Sequence, residues 1–459
     1  MFMKQTAKYI FYLLNALFLT NLCSAQDTDK VVTAWLKQNS IPIKYLEAGH
    51  GFSDLQPLKK VLQGVQVIGL GEATHGTHEF FEIKHRLVEF LVTQMGFTAF
   101  ALESGFSDCE PINEYILTGK GNRATVLTNQ NYTGWDTEEF SAMLDWMRAY
   151  NRKVPDEKKV RFYGLDILSL QKVGRERVRA YFKKYVPEKI AQIDSLFRVL
   201  EGEEINWLSR MSQSALQQCF IPLNDLMSYL IANKDRLVGA SSLKEWEQVH
   251  KYLEVMEQSL YYNVKEVPPS LSSKKLDINK NVMRDEYMWQ NLLYLMENEK
   301  PKAKFMFWAH NYHVQSNDTV KSVGYFLRQK LGNKYYALGL ECYQGTFQAR
   351  ELLPDNSWGD LKVDTIHSAP KSINWYFAHT GKQNLFVDLR QASSNAVVDK
   401  WLDKPSSFGE GNWIHRNANE NFEIIKLKDL YDGLLFIERS TSAHPTKNAL
   451  SRSIGRIGF

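Results

Sequence analysis

Seven short runs of nearly unbroken apolar residues punctuate the chain: Val65–Leu70, Thr98–Leu102, Val160–Leu165, Lys304–Ala309, Tyr335–Leu340, Asn384–Leu389 and Leu434–Ile437. Their apolar character is continuous rather than alternating, which suits strands covered on both faces. Helical periodicity falls between them. Phe80, Ile83, Leu87, Phe90 and Leu91 share one face of a helix expected to run to Met95, where Gly96 ends it. A second helix is expected to begin near Asp136 or Thr137, with Glu139 in its first turn and Phe140, Leu144 and Met147 on its apolar face. Strands alternating with helices predict an α/β fold with a mostly parallel central sheet flanked by helices.

From about Gln171 to Lys300 the strand signal stops. Amphipathic stretches such as Glu188–Leu200 and Lys244–Leu260 take over, with a loop at Pro268–Ser273. This reads as a large helical insertion or cap within one domain covering 26–459. The chain from Ser442 onward reads as irregular surface.

The N-terminus changes the picture of location. Lys4 and Lys8 precede an apolar run, Tyr9–Leu19, and small residues surround Ala25. That is the layout of a secretory signal peptide over 1–25, too short to span a membrane comfortably, so the mature protein is expected to be exported, periplasmic or extracellular. Cys23 raises lipid anchoring, but Thr20-Asn21-Leu22 before it fits a lipobox poorly. No other stretch is apolar enough for stable membrane insertion. Hydrophobic residues make up 44% and charged residues 24%, an ordinary globular balance, and the net charge of +4 is spread along the chain. A nucleic-acid partner is therefore not expected. Cys109, Cys219 and Cys342 include no CxxC pair, so at most one disulfide among them is open to the chain.

The informative polar residues are those that follow the strands. The first run leads into Gly71-Glu72-Ala73-Thr74-His75-Gly76, the second into Glu103, the third into Asp166, and the fourth into His310-Asn311-Tyr312-His313; later runs reach Glu341 and Asp388. In open parallel sheets the carboxyl ends of the strands border the ligand crevice. Residues hundreds of positions apart would then share one rim: an imidazole base, carboxylates to orient it, and a further acid–base group. Glu72 and His75 are the leading pair, on a glycine-flanked turn; the plainer reading makes Glu72 a helix cap and His75 a loop residue. Glu103 behind Phe100-Ala101-Leu102 is a costly buried charge unless partnered. His310 and His313 are either site residues or a loop pair packed on aromatics.

Lys84 lies on the apolar stripe and is either a cation aimed at the site or a snorkelling side chain. Lys84, Asp166 and Trp135 are taken as substrate-binding candidates, although acids after strands often cap helices and an aromatic after Gly134 often belongs to the core. His78 and His85 read as helix-surface residues. Arg284 and Asp285, adjacent and opposite in charge, read as structural.

Gly71-Glu72-Ala73-Thr74-His75-Gly76-Thr77-His78-Glu79, Lys84, Gly96-Phe97 through Glu103, Arg284-Asp285 with Met288, and Ala309-His310-Asn311-Tyr312-His313 together resemble the erythromycin esterase family, in family order, between Val65 and Glu438. The resemblance implies an α/β core and a crevice in which His75 acts as general base on water, supported by Glu72 and Glu103, with His310 and His313 across the site. Family members known as resistance enzymes open macrolide lactones; many relatives lack a defined substrate, and an export signal departs from the intracellular resistance enzymes. The expected function is hydrolysis of a small-molecule ester or lactone without a cofactor. Neither a GxSxG elbow nor a candidate catalytic cysteine is present, which argues against a covalent acyl-enzyme. Two alternatives stay open: a zinc- or manganese-dependent hydrolase with the metal at His75, His310 and His313, and a non-catalytic secreted binding protein of the same fold.

Overall fold

The computed structural model describes residues 28–129, 133–168, 171–201, 208, 211–264, 280–352, 358–409 and 422–454. The expected signal segment and the Pro268–Ser273 loop lie outside them. Eleven strands are described: β1 (Ser40–Pro42), β2 (Val67–Leu70), β3 (Ala99–Gly105), β4 (Arg161–Asp166), β5 (Phe305–Trp308), β6 (Tyr335–Leu352), β7 (Trp358–His367), β8 (Asn384–Asp388), β9 (Ser406–Gly409), β10 (Phe422–Ile425) and β11 (Gly433–Ser440). The central sheet has the order β1-β8-β11-β6-β2-β5-β3-β4, with β7 attached to β6 and β9–β10 forming a separate pair. The six neighbours from β11 to β4 are parallel, and β1, β7 and β8 pair antiparallel.

The apolar runs form these strands because each face of the sheet has its own core. Ile68, Leu70, Phe100, Leu102, Met306 and Trp308 point into one. Val67, Ala99, Ala101, Phe305 and Phe307 point into the other. With both faces covered, neither side of a strand is selected to be polar, so alternation vanishes.

Two helices fix the site. α1 (His78–Met95) ends at Gly96 with φ 72°, a left-handed cap glycine adopts without strain. α2 (Glu138–Asn151) starts on a Thr137 hydroxyl that accepts from the Phe140 amide. The insertion is helical, comprising α3 (Lys172–Tyr185), α4 (Ile190–Val199), α5 (Gln213–Ala232) and α6 (Leu243–Asn263). Its residues Val178 to Val264 form a core of their own. The last helix of the region, α7 (Lys280–Asn298), returns to the sheet, where Met288 and Leu292 pack beside Ala99 and Ala101.

Several elements depart from the reading of the sequence. β6 continues to Leu352 and turns back as β7, a hairpin whose register runs from Gln344–His367 to Leu352–Trp358. Its partly polar positions lack the continuous apolar signature of the sheet interior. Residues Ser442–Ile454 are paired and helical rather than irregular: Thr77 bridges Ser442, Thr137 bridges Pro445, and a helix covers Lys447–Ile454. His85 is buried rather than on the surface, because α1 is covered nearly all round from Phe80 to Val92. Burial pushes its imidazole down to about 4. Cys109, Cys219 and Cys342 are buried free thiols, and burial raises the pKa of each, which keeps them protonated at neutral pH.

Candidate functional site

Register places the site. Leu70 pairs with Trp308 and Leu338, and Leu102 pairs with Trp308, so the parallel strands β2, β3, β5 and β6 are level near their carboxyl ends. Glu72, Glu103 and His310 each follow within two residues and therefore emerge on one rim. Asp388 does not join them. It ends β8, which runs antiparallel and pairs there with Gly433 at the start of β11, so it sits at the opposite rim in an ion pair with Arg390. Glu341 is buried on β6 and accepts from Asn311 Nδ2 at 3.0 Å and Asn374 Nδ2 at 2.8 Å, steadying the segment that carries the two histidines.

Glu72 is fully buried and fully partnered. Its Oε1 meets His75 Nδ1 at 2.7 Å, while Oε2 accepts from Lys84 Nζ at 2.8 Å and Trp308 Nε1 at 3.1 Å. The Lys84 ammonium lies 4.2 Å over the Trp308 ring. Burial pulls Lys84 down to about 8, against the opposing field of Glu72. Lys84 has no exposed surface, so it acts on Glu72 from within. The His75 ring is held edge-on by Trp135 at 4.9 Å and His310 at 5.5 Å. Trp135 is itself completely buried behind that ring and sends its indole N–H to the Glu103 carbonyl at 3.4 Å. Gly76 is required here by close approach: a Cβ would lie 1.8 Å from the Gln348 carbonyl oxygen.

A second network lies on the same rim. Glu103 Oε1 accepts from Arg284 Nη2 at 2.8 Å and from His313 Nε2 at 3.0 Å, and Oε2 accepts from the His310 amide at 2.8 Å. Arg284 also reaches Asp166, with Nε at 3.1 Å and Nη2 at 2.6 Å. Asp285 receives His313 Nδ1 at 2.9 Å. Arg284 Nη1 stands 3.1 Å from His313 Nε2, but a guanidinium only donates, so the His313 proton is committed to Glu103. Burial would empty these charges, yet the partners win. His313 is raised to about 10 against burial by Asp285 and Glu103. Glu103 is held well below the usual carboxylate range against burial by His313 and Arg284. The rim thus carries an imidazolium and a carboxylate that persist at neutral pH.

His310 differs from its neighbour. Its Nε2 faces the Ala73 carbonyl at 3.1 Å and its Nδ1 accepts from the Tyr312 amide at 3.2 Å. That pattern fits the neutral ring, and burial, reinforced by the neighbouring His75 imidazole, pushes it down to about 3. A metal held by His75, His310 and His313 would need His310 freed from both backbone partners and His313 from its two carboxylates. Arg284 and Asp285, read from sequence as structural, are the residues that join Glu103, Asp166 and His313. Adjacent opposite charges on a helix look like a surface pair; only the fold shows their partners 118 and 181 positions away.

These shifts set the pH dependence of stability. His313 has a raised folded pKa, so its contribution is fully present below the ordinary histidine value of 6.5 and is lost as pH climbs through about 10. His310 and Glu103 are depressed, so stability falls as the solution is acidified from 6.5 toward about 3 and through the carboxylate range. Urea midpoints measured across pH should decline on both flanks, and His313→Gln should flatten the alkaline flank between about 6.5 and 10. The variant should also lessen the part of the acid fall that Glu103 contributes, since His313 holds that carboxylate low, while a fall from 6.5 toward about 3 due to His310 remains.

The carboxyl rim of a parallel α/β sheet here gathers an orientated histidine, buried carboxylates and fixed cations, a set of groups suited to acid–base chemistry. The family model for erythromycin esterase matches residues 92–440. Erythromycin esterase type II of Escherichia coli is 27% identical over 429 residues, covering 89% of this chain and 97% of its own. Among solved structures, a Bacillus cereus protein is 27% identical with a TM-score of 0.77, covering 91% of this chain and 99% of its own. A mutant erythromycin esterase in its open conformation is 17% identical with a TM-score of 0.64, over 85% of this chain and 94% of its own, a likeness of fold. The chain belongs to the erythromycin esterase family, a membership consistent with a hydrolase that takes a small-molecule substrate. Among the described residues no helix is long and apolar enough to cross a membrane.

Proposed function

We propose that this protein hydrolyses a carboxylic ester or lactone by activating water at His75. The observation that carries the reading is the 2.7 Å contact of His75 Nδ1 with the buried, doubly anchored Glu72 carboxylate. A carboxylate at Nδ1 fixes the proton on that nitrogen, leaving the Nε2 lone pair to take a proton from water. The water oxygen then bonds to the substrate carbonyl carbon, and collapse of the tetrahedral intermediate expels the alkoxide, which takes up the proton held by His75. Positive charge on Arg284 and His313 favours the oxyanion while it lasts. Glu103, Asp166 and Asp285 keep those cations in place, and His310 backs the base as a neutral ring.

A macrolide lactone is the first substrate to test, since the Escherichia coli relative is an erythromycin esterase; the N-terminal sequence supports an exported enzyme that would meet such esters outside the cytoplasm. Incubation of the purified protein with macrolides and with simple alkyl and aryl esters, followed by mass spectrometry, should show at least one compound gaining one water. No such gain in any ester or lactone, from protein shown to be folded, would end the proposal.

A further inference from the structure

Beside the catalytic turn on the carboxyl rim, three segments converge on a second histidine cluster. His78 is the first residue of α1, Glu139 lies in the first turn of α2, and His444 belongs to the segment that follows β11. His78 Nδ1 stands 2.6 Å and His444 Nδ1 2.7 Å from the same oxygen, Glu139 Oε1. The two rings are 5.0 Å apart at 78°. Among the described residues, these are the three His, Cys, Asp or Glu side chains whose ligand atoms all lie within 4.8 Å of one another.

From the arrangement we propose that His78, Glu139 and His444 form a zinc site that clasps the C-terminal segment onto the helix starts flanking the catalytic turn. Two imidazoles and one carboxylate are a zinc donor set, with water completing a tetrahedron. Without an ion, each imidazole directs Nδ1 at the same carboxylate oxygen, so two N–H protons converge on Glu139 Oε1. A divalent cation replaces both protons, taking one lone pair from each nitrogen and one from the oxygen, at roughly 2.0–2.2 Å each. A tetrahedral centre with those bond lengths sets its donor atoms roughly 3.3–3.6 Å apart, so the two contacts, 2.6 and 2.7 Å without the ion, open by about 0.6–1.0 Å, which rotation of the exposed His444 side chain allows. The backbone is already set: His78 N donates to the Thr441 carbonyl at 2.9 Å, Glu138 N to the His444 carbonyl at 2.8 Å, and Ala443 N to the Gly76 carbonyl at 2.9 Å. The Glu139 side chain is only 3% exposed while that of His444 is 67% exposed, so the site has a dry anchor and an open side for the ion and its water. Glu79 and Glu82 add negative charge around His78. The site sits three residues from His75 yet shares no atom with it, so the ion steadies the base's turn without touching the reacting groups.

The test uses full-length, untagged protein stripped with a chelator and titrated with Zn2+ by calorimetry, with Tm followed in parallel. The wild type should take up one Zn2+ per chain and gain Tm. His444→Ala, at an exposed position, should bind about 100-fold more weakly or worse, since even outer-shell partners are worth roughly 10–100-fold, and His78→Ala should behave alike. His75→Ala should keep both the stoichiometry and the Tm gain. Absence of saturable uptake by the wild type, equal uptake by His444→Ala, or loss of uptake in His75→Ala alone would each overturn the site.

Discussion

Replacing His75 with Ala lowers kcat/KM for ester hydrolysis by about 10²–10⁴-fold, the usual worth of a positioned general base. The reason is local. Glu72 orients His75 and is itself held by Lys84 and Trp308 from the other oxygen, so the carboxylate keeps two of its three partners when the imidazole is removed. The variant should fold: its chief packing loss is the edge contact with Trp135, worth about 0.5–1.5 kcal/mol. Substrate should still bind, because the cations of Arg284 and His313 remain. Retained binding with lost turnover also separates an enzyme from a binding protein of the same fold. Unchanged turnover would remove His75 as the base.

Lys84→Met should cost about 3–5 kcal/mol of stability, read as a lower urea midpoint with an unchanged slope. Both members of the Lys84–Glu72 pair are completely buried, so removal of the ammonium leaves a carboxylate in a dry core with an indole N–H and His75 for company. Glu72 must then take up a proton or draw one onto His75, and either outcome spoils a base that needs an empty Nε2 lone pair. Turnover should therefore fall even at temperatures where the variant is folded. The double variant Lys84→Met with Glu72→Gln removes both charges and should regain much of the stability but none of the activity. A loss under about 1 kcal/mol in the single variant would show that Lys84 is not the charge partner of Glu72.

Much of this was legible before the fold was known, because the parallel sheet writes its pattern twice. Apolar runs mark the strands, and the polar residue that ends each run marks the rim, which is how Glu72, Glu103, Asp166 and His310 can be read from the sequence. Register makes the rule work, since Leu70, Leu102, Trp308 and Leu338 lie level. The rule fails for Asp388 for the same physical reason: β8 runs backwards, and no apolar run records its direction.

What stayed hidden lies in long-range pairing. Arg284 and Asp285 look like a neutralised surface pair until α7 lays them against Glu103, Asp166 and His313. His78 and Glu139 likewise look like ordinary helix-start residues, and His444 sits in a stretch with no periodicity at all. Their convergence depends on two short bridges, Thr77 to Ser442 and Thr137 to Pro445. Such bridges leave no trace in hydrophobic pattern, because they are made of backbone.

Single-turnover hydrolysis in 18O-labelled water, with enzyme in excess over ester and wild type run beside His75→Ala, bears most directly on water activation by His75. One 18O should enter the acid product in the first wild-type turnover, with no mass adduct on the protein and the step slowed about 10²–10⁴-fold in the variant. Acid carrying only 16O, a covalent acyl adduct, or equal rates in the two proteins would contradict it.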